Sequence, residues 1–142
     1  KWREKRKNLV VTAGLNHVLS SCFDAGTQIT AWYVGLKAAG TVAAGDTMAS
    51  HAGWAENTDY SQSVRQTLTL GTAASGSIDN TGNLATYSIN GTATIAGAFI
   101  NSDSAKSGTA GTLYGAVDFG SARSVISGDT LTVTVTLTAA SA

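Results

Sequence analysis

The most constraining feature of this 142-residue chain is a strict alternation of apolar and hydroxyl side chains in SGDTLTVTVTLTAA, residues 127–140. The apolar positions are Leu131, Val133, Val135 and Leu137, and the positions between them are Thr130, Thr132, Thr134 and Thr136. A period of two residues is that of a β-strand with one face on a core and the other in solvent. The chain is therefore expected to build a sheet with one apolar face.

Earlier stretches also predict strands, beginning with QITAWYVGLKA. Its two faces are both apolar, which is typical of a central strand, with Trp32, Val34 and Leu36 opposite Ala31, Tyr33 and Gly35. TLYGAVDFG predicts a strand with Leu113, Val117 and Phe119 in register. SVRQTLTLG predicts one in which Val64, Gln66, Leu68 and Leu70 lie opposite Arg65, Thr67 and Thr69.

Turn signals separate these strands. NLATYSINGTATIAGAFINSD divides at Asn90-Gly91, a dipeptide typical of the type I′ turn of a β-hairpin. No helices alternate with the strands, so a parallel α/β fold is disfavoured. The predicted fold class is all-β, an antiparallel β-sandwich with one short N-terminal helix.

The helix is predicted within NLVVTAGLNHVLSSCF, where Val11, Leu15, Val18, Leu19 and Cys22 recur at helical spacing. Before it, residues 1–8 form a basic segment, and residues 9–142 are expected to form a single β-sandwich domain. The chain starts at Lys1 without a methionine, which leaves room for preceding residues.

The net charge of zero hides an asymmetry, because five of the nine basic side chains lie between Lys1 and Lys7. Three interpretations stay open for this segment. It could dock on an acidic protein surface, or it could be a solvated arm or an edge strand with protective charges. Binding of nucleic acid, with Trp2 stacking on bases, is the least favoured of the three.

Residues 38–63 are rich in Gly, Ala and Ser and predict a long loop that contains Met48 and Trp54. In such a loop an exposed indole would be an anchor for a partner protein. The alternative is that Trp54 and Met48 hold the loop against one open end of the sandwich. The sequence does not decide between these two interpretations.

No pattern in the chain predicts catalysis, a metal or a cofactor. His17 and Cys22 are one helical turn plus one residue apart, which does not place both on one metal ion. His51 lies near Asp46 and Ser50, but no nucleophile-elbow motif supports a Ser-His-Asp set. The phosphate-binding glycine motifs are absent from the sequence. We therefore expect a protein that is not an enzyme.

Four segments in fixed order, KWREKRKNLVVTAGLNHVL, AWYVGLK, DTMASHAGWAENTDYSQSVRQ and SGDTLTVTVTLT, resemble capsid decoration or cement proteins of tailed bacteriophages. The resemblance covers about Trp2 to Thr138. It implies a jelly-roll fold and a virion structural protein on the outer capsid surface, assembled in the host cytoplasm. The implied partners are the major capsid protein and copies of the chain itself, as a dimer or trimer at capsid symmetry axes, with no membrane.

A decoration protein would bridge and stabilise capsid subunits by many non-covalent contacts. The alternative is a tail or fibre module that binds host glycan or receptor, with Trp54 as a stacking platform. The residues predicted to dock on the capsid are Lys1, Trp2, Arg3, Lys5, Arg6, Lys7, Met48 and Trp54.

Overall fold

In the computed structural model, which describes residues 3–139, the chain forms ten strands and one helix. The elements are β1 (Leu9–Val10), α1 (Thr12–Phe23), β2 (Tyr33–Gly40), β3 (Trp54–Asn57), β4 (Gln66–Thr67), β5 (Ser77–Asp79), β6 (Ala85–Ser88), β7 (Ala93–Asn101), β8 (Leu113–Val125), β9 (Thr130–Val133) and β10 (Thr136–Thr138). The described strand pairs are antiparallel.

The larger sheet has the strand order β1-β8-β7-β2-β3, and β4 also pairs with β2. In its centre, β2 pairs with β7 so that Val34 faces Ile100 and Leu36 faces Ala98. Residues 34–37 of β2 are all buried, on both faces. The prediction of a central strand in this stretch is therefore confirmed, because apolar side chains on both faces need cover from both sides.

The C-terminal alternation forms the second layer, in which β9 pairs with β6 and β10 pairs with β5. Its four threonines are exposed and Val133 is buried, while the other three apolar side chains are half-buried. The predicted faces are thus confirmed, but the single strand is divided at Thr134–Val135. There the buried Asn80 accepts a hydrogen bond from Val135 N (2.7 Å) and donates to the Val133 carbonyl (3.3 Å).

Apolar side chains of both layers meet in one core. The larger sheet contributes Val34, Ile95 and Ile100, and the second layer contributes Tyr87 and Val133. The protein is mostly β-structure with antiparallel sheets and one short helix, as the sequence predicts. This arrangement is consistent with a β-sandwich.

The predicted hairpin at Asn90-Gly91 is wrong. The strands on either side, β6 and β7, belong to different sheets, and neither Asn90 nor Gly91 has the positive φ of a type I′ turn. The chain instead crosses between layers, and Ile89 bonds to the chain around Asp129 through its backbone N–H (2.9 Å). Tertiary pairing has overridden the local turn preference.

Two further predictions need correction. Part of the predicted loop 38–63 is strand β3, which pairs with β2. Within residues 63–71 only Gln66–Thr67 is a strand, and the faces around it are not as predicted. Arg65 is completely buried, whereas Val64 is 44% exposed. The reason is that Arg65 finds an ionic partner in the interior, which an alternation pattern does not reveal.

Candidate docking surfaces

The basic N-terminal segment lies beside β8, which pairs with β1 at one edge of the larger sheet. Lys1 and Trp2 are outside the described residues, while Arg3, Lys5, Arg6 and Lys7 are exposed. Glu4 fixes the segment, because its carboxylate accepts a hydrogen bond from Gly120 N and lies 3.6 Å from the Arg123 guanidinium. Glu4 also pairs with Arg6 at 2.7 Å. Residues 3–8 are not a strand, so the segment is not the edge strand that one interpretation predicts, and docking on an acidic protein stays a prediction.

The segment borders two concave surfaces. An open groove of about 600 Å³ is lined by Lys5, Arg6 and Lys7 together with parts of β8 and the residues 41–42. On the other side, Glu4, Arg6 and Asn8 line a cavity of about 110 Å³ that reaches core residues of both layers. The three neighbouring basic side chains make the open groove a surface of positive charge, interrupted by Asp118.

Helix α1 exposes the face that carries its larger apolar side chains. Leu15, Val18, Leu19 and Phe23 are 52%, 41%, 57% and 84% exposed, and Cys22 is exposed beside them. We call these five residues the helix stripe. An amphipathic helix of a globular domain normally turns such a stripe towards the core. The predicted helix is thus present, with its apolar face outward.

The opposite side of α1 explains this orientation. Gly14 is the buried residue of the helix, and a Cβ atom at this position would overlap the carbonyl oxygen of Tyr114 in β8. One turn further, the His17 ring contacts Trp32 edge-on at 5.5 Å between ring centres. Close approach to β8 through Gly14 therefore holds the helix stripe on the outside.

Met48 and Trp54 are buried, with 1% and 5% of their surfaces exposed. The Trp54 indole donates to Asp46 Oδ2 (2.9 Å), stacks on His51 (4.1 Å between centres) and contacts Phe99 (5.2 Å). The prediction that these two residues are exposed anchors does not fit this burial. The alternative interpretation, in which they hold the loop against one open end of the sandwich, agrees with the burial but not with the position. Trp54 lies in strand β3 and packs with Met48 and Phe99 in a cluster separate from the main core.

A buried ion pair that sequence analysis missed organises the loop between β7 and β8. Arg65 donates to the two carboxylate oxygens of Glu56 at 3.0 and 2.7 Å, and to the carbonyls of Asp103 and Gly108. Glu56 also accepts a hydrogen bond from Ser107 N (3.0 Å). Neither partner has a sequence signal for the other, because they lie nine positions apart in stretches predicted as loop and polar strand face.

Two lysines are also used inside the fold. Lys37, completely buried, lies 2.5 Å from Asp118 Oδ1 and donates to the Gly40 carbonyl. Lys106 donates to the carbonyls of Tyr60 (2.8 Å) and Gln62 (2.9 Å), with its ammonium 4.1 Å from the centre of the Tyr60 ring. These cations stabilise loops and are not presented to a partner.

The tyrosines in the core have perturbed acidities. Burial raises the pKa of both Tyr60 and Tyr87, because the phenolate is poorly solvated there. The Tyr87 hydroxyl donates to the Val34 carbonyl at 2.7 Å. Among the described residues the Tyr60 hydroxyl has no hydrogen-bond partner. Both groups face the interior, so their perturbation reflects packing and not a reactive site.

The histidines and the cysteine do not assemble a site in residues 3–139. Within this range no three His, Cys, Asp or Glu side chains cluster so that they could hold a metal ion. Asp46 and His51 both contact Trp54, and these contacts position the indole. No helix in the described part of the chain has the length and apolar character needed to cross a membrane.

Comparison with known proteins does not assign this chain to a family. No protein-family model matches the sequence, and no curated protein is significantly similar to it. Two surfaces of the described residues are therefore the candidate contacts: the basic segment with its groove, and the helix stripe.

Proposed function

We propose that this chain is a virion structural protein, a jelly-roll capsid cement or decoration protein that stabilises a bacteriophage shell through non-covalent contacts. The observation that carries the proposal is the helix stripe. Solvent-exposed apolar side chains that follow one another along a helix mark a protein contact, and here they are held outward by the packing of Gly14 on Tyr114.

The distribution of charge supports a protein contact and not a catalytic site. Lys37, Arg65 and Lys106 are engaged with acidic groups or carbonyls of the fold. The exposed basic side chains are concentrated in residues 3–7, beside the groove along β8. A cluster of this kind favours an acidic partner surface, and we assign it to the contact with the major capsid protein.

Individual contacts of this type are weak, at about 0–1 kcal/mol for an exposed ion pair. A decoration protein does not need a strong single contact, because it occupies a repeating lattice. Several modest contacts per copy, each made within a fixed geometry, raise the effective affinity through multivalency. Two separate contact surfaces on one small domain suit this arrangement.

The alternative function, a tail or fibre module that binds host glycan, depended on Trp54 as an exposed stacking platform. Trp54 is buried between His51 and Phe99. This observation counts against that alternative.

The proposal is tested by binding of the purified chain to empty shells that were assembled without it. Replacing both Lys5→Gln and Lys7→Gln removes two positive charges from the groove. The matched control, Thr130→Glu with Thr132→Glu, makes the same change in net charge on the exposed face of β9. We expect the first variant to bind shells more weakly at low salt and the control to bind like the wild type.

The difference between the two variants should shrink as salt rises, since the Debye length is about 8 Å at 0.15 M salt. Unchanged shell binding after the lysine replacements would contradict the assignment of the groove. No binding of the wild-type chain to shells under any salt condition would contradict the proposed function itself.

A further inference from the structure

The lack of charge on helix α1 limits the kind of surface that can cover the helix stripe. Helix α1, TAGLNHVLSSCF, contains no charged side chain. A partner that covers the stripe therefore has no charge to neutralise there, and a charged group of the partner would lose its hydration without compensation. A suitable partner surface is itself apolar and uncharged. The same stripe on a second copy of the chain meets this requirement.

The charge at the C-terminal end of α1 points to the orientation of that second copy. Asp24 directly follows this end, and the first turn of the helix contains no acidic side chain. The helix macrodipole favours negative charge at the N-terminus and disfavours it at the C-terminus. If two helices pack antiparallel, Asp24 of one copy comes close to the N-terminal end of the other.

We infer that α1 is the contact between two copies of this chain, packed antiparallel about a two-fold axis near Val18. Such a contact is isologous, since the same patch serves both copies. The midpoint of Thr12–Phe23 lies between His17 and Val18, and Val18 belongs to the helix stripe. Cys22 lies one turn further along, and so the two Cys22 side chains are well away from the axis.

The size of the stripe sets the strength of the contact. At 1.5 Å per residue the helix is about 18 Å long, and the stripe has five side chains. A stable interface buries about 800 Å² per partner with about 20–30 residues on each side. The antiparallel pair is therefore weak in dilute solution. The inference rests on the proposed function for its setting, because copies held side by side on a shell would make the contact persistent.

Self-association of the full chain is measured by sedimentation equilibrium at concentrations up to about 1 mM, because a contact smaller than a standard interface is expected to be weak. We compare wild type with Leu19→Lys, which places a charge in the stripe. The matched control, Thr132→Lys, adds the same charge on the exposed face of β9. Circular dichroism verifies that each variant is folded.

We expect the average mass of wild type and Thr132→Lys to rise above the monomer mass as concentration increases, and Leu19→Lys to associate at least about tenfold more weakly. Asp24→Lys should also weaken association, and more so at low salt. A wild type that stays monomeric throughout, or a Leu19→Lys variant that associates like wild type, overturns the inference. Stronger association of Asp24→Lys overturns the antiparallel arrangement.

A cross-linking experiment tests the position of the axis. With a short bismaleimide, a Val18→Cys variant in a Cys22→Ser background should form covalent dimers much faster than wild type, which offers Cys22 alone. Equal or faster cross-linking through Cys22 would indicate a parallel pair and overturn the proposal. Shell binding is scored separately, so self-association without shell binding contradicts only the proposed function, and the reverse result contradicts only this inference.

Discussion

Arg65 lies completely buried against Glu56, and its guanidinium donates to both oxygens of that carboxylate, at 3.0 and 2.7 Å. Only 6% of the Glu56 side chain is exposed. The remaining Arg65 donors reach the carbonyls of Asp103 and Gly108, so one cation connects β3 with the loop before β8.

Replacing Glu56→Gln should lower the free energy of unfolding by about 3 kcal/mol, because it leaves a buried guanidinium without its counter-charge. Asp24→Asn is the matched control, since it removes the same charge at an exposed position. We expect a change within about 0.5 kcal/mol for the control. Urea denaturation measures both values, and equal losses would contradict the role of the buried pair.

Gly14→Ala tests whether α1 is held by close approach to β8. In an exposed helix position this change is favourable by about 1 kcal/mol. Here the added Cβ overlaps the Tyr114 backbone, so we expect a net destabilisation of about 1–3 kcal/mol. Gly82→Ala serves as a control, because a Cβ there has open space, and its effect should stay within about 0.5 kcal/mol. A stabilised Gly14→Ala protein would show that the helix is not seated as described.

Comparing the two core tyrosines, Tyr60 and Tyr87, measures how much one buried hydrogen bond contributes to the free energy of unfolding. Tyr87→Phe removes the bond to the Val34 carbonyl and should cost about 1 kcal/mol. Tyr60→Phe removes a hydroxyl that has no hydrogen-bond partner among the described residues, and it should be neutral or slightly stabilising. Thermal or urea denaturation of both variants checks the order. The reverse order would contradict these side-chain environments.

The same tyrosines predict a loss of stability in alkaline solution. Burial raises the pKa of Tyr60 and Tyr87 in the folded state above the ordinary value near 10. Below that pH both tyrosines are protonated in the folded and in the unfolded protein, so their contribution to the free energy of unfolding is fully present. Above it the unfolded chain releases protons that the folded chain retains, so the free energy of unfolding falls by up to about 1.4 kcal/mol per pH unit for each tyrosine.

Denaturation curves between about pH 9 and pH 11 measure this slope. The Tyr60→Phe and Tyr87→Phe variants should each have a shallower slope than wild type. An identical slope in all three proteins would mean that other groups dominate the alkaline transition.

Periodicity predicted the parts of the fold that depend on local burial. The two apolar faces of residues 34–37 and the outward threonines of residues 130–136 are placed as expected. Features that depend on pairing between distant segments were not predicted. Asn90-Gly91 connects two layers in place of forming a hairpin, because β6 and β7 find partners that are distant in sequence.

The docking surfaces were predicted less well than the sheets. The basic segment is exposed as expected from Arg3 to Lys7, but Trp54 is covered by His51 and Phe99. The apolar spacing of α1 predicts a helix, yet it does not say which side packs. Gly14, a residue without a side chain, determines that side, and hydrophobic periodicity gives a glycine no weight.

The location and copy number of this chain in purified virions assembled with it decide whether it is a capsid decoration protein. Particle imaging, with quantitative protein analysis of the same sample, gives both values. We expect hundreds of copies in a symmetric array on the outer capsid surface. A chain found only in the tail, in multiples of three or six, or missing from the particle would contradict it.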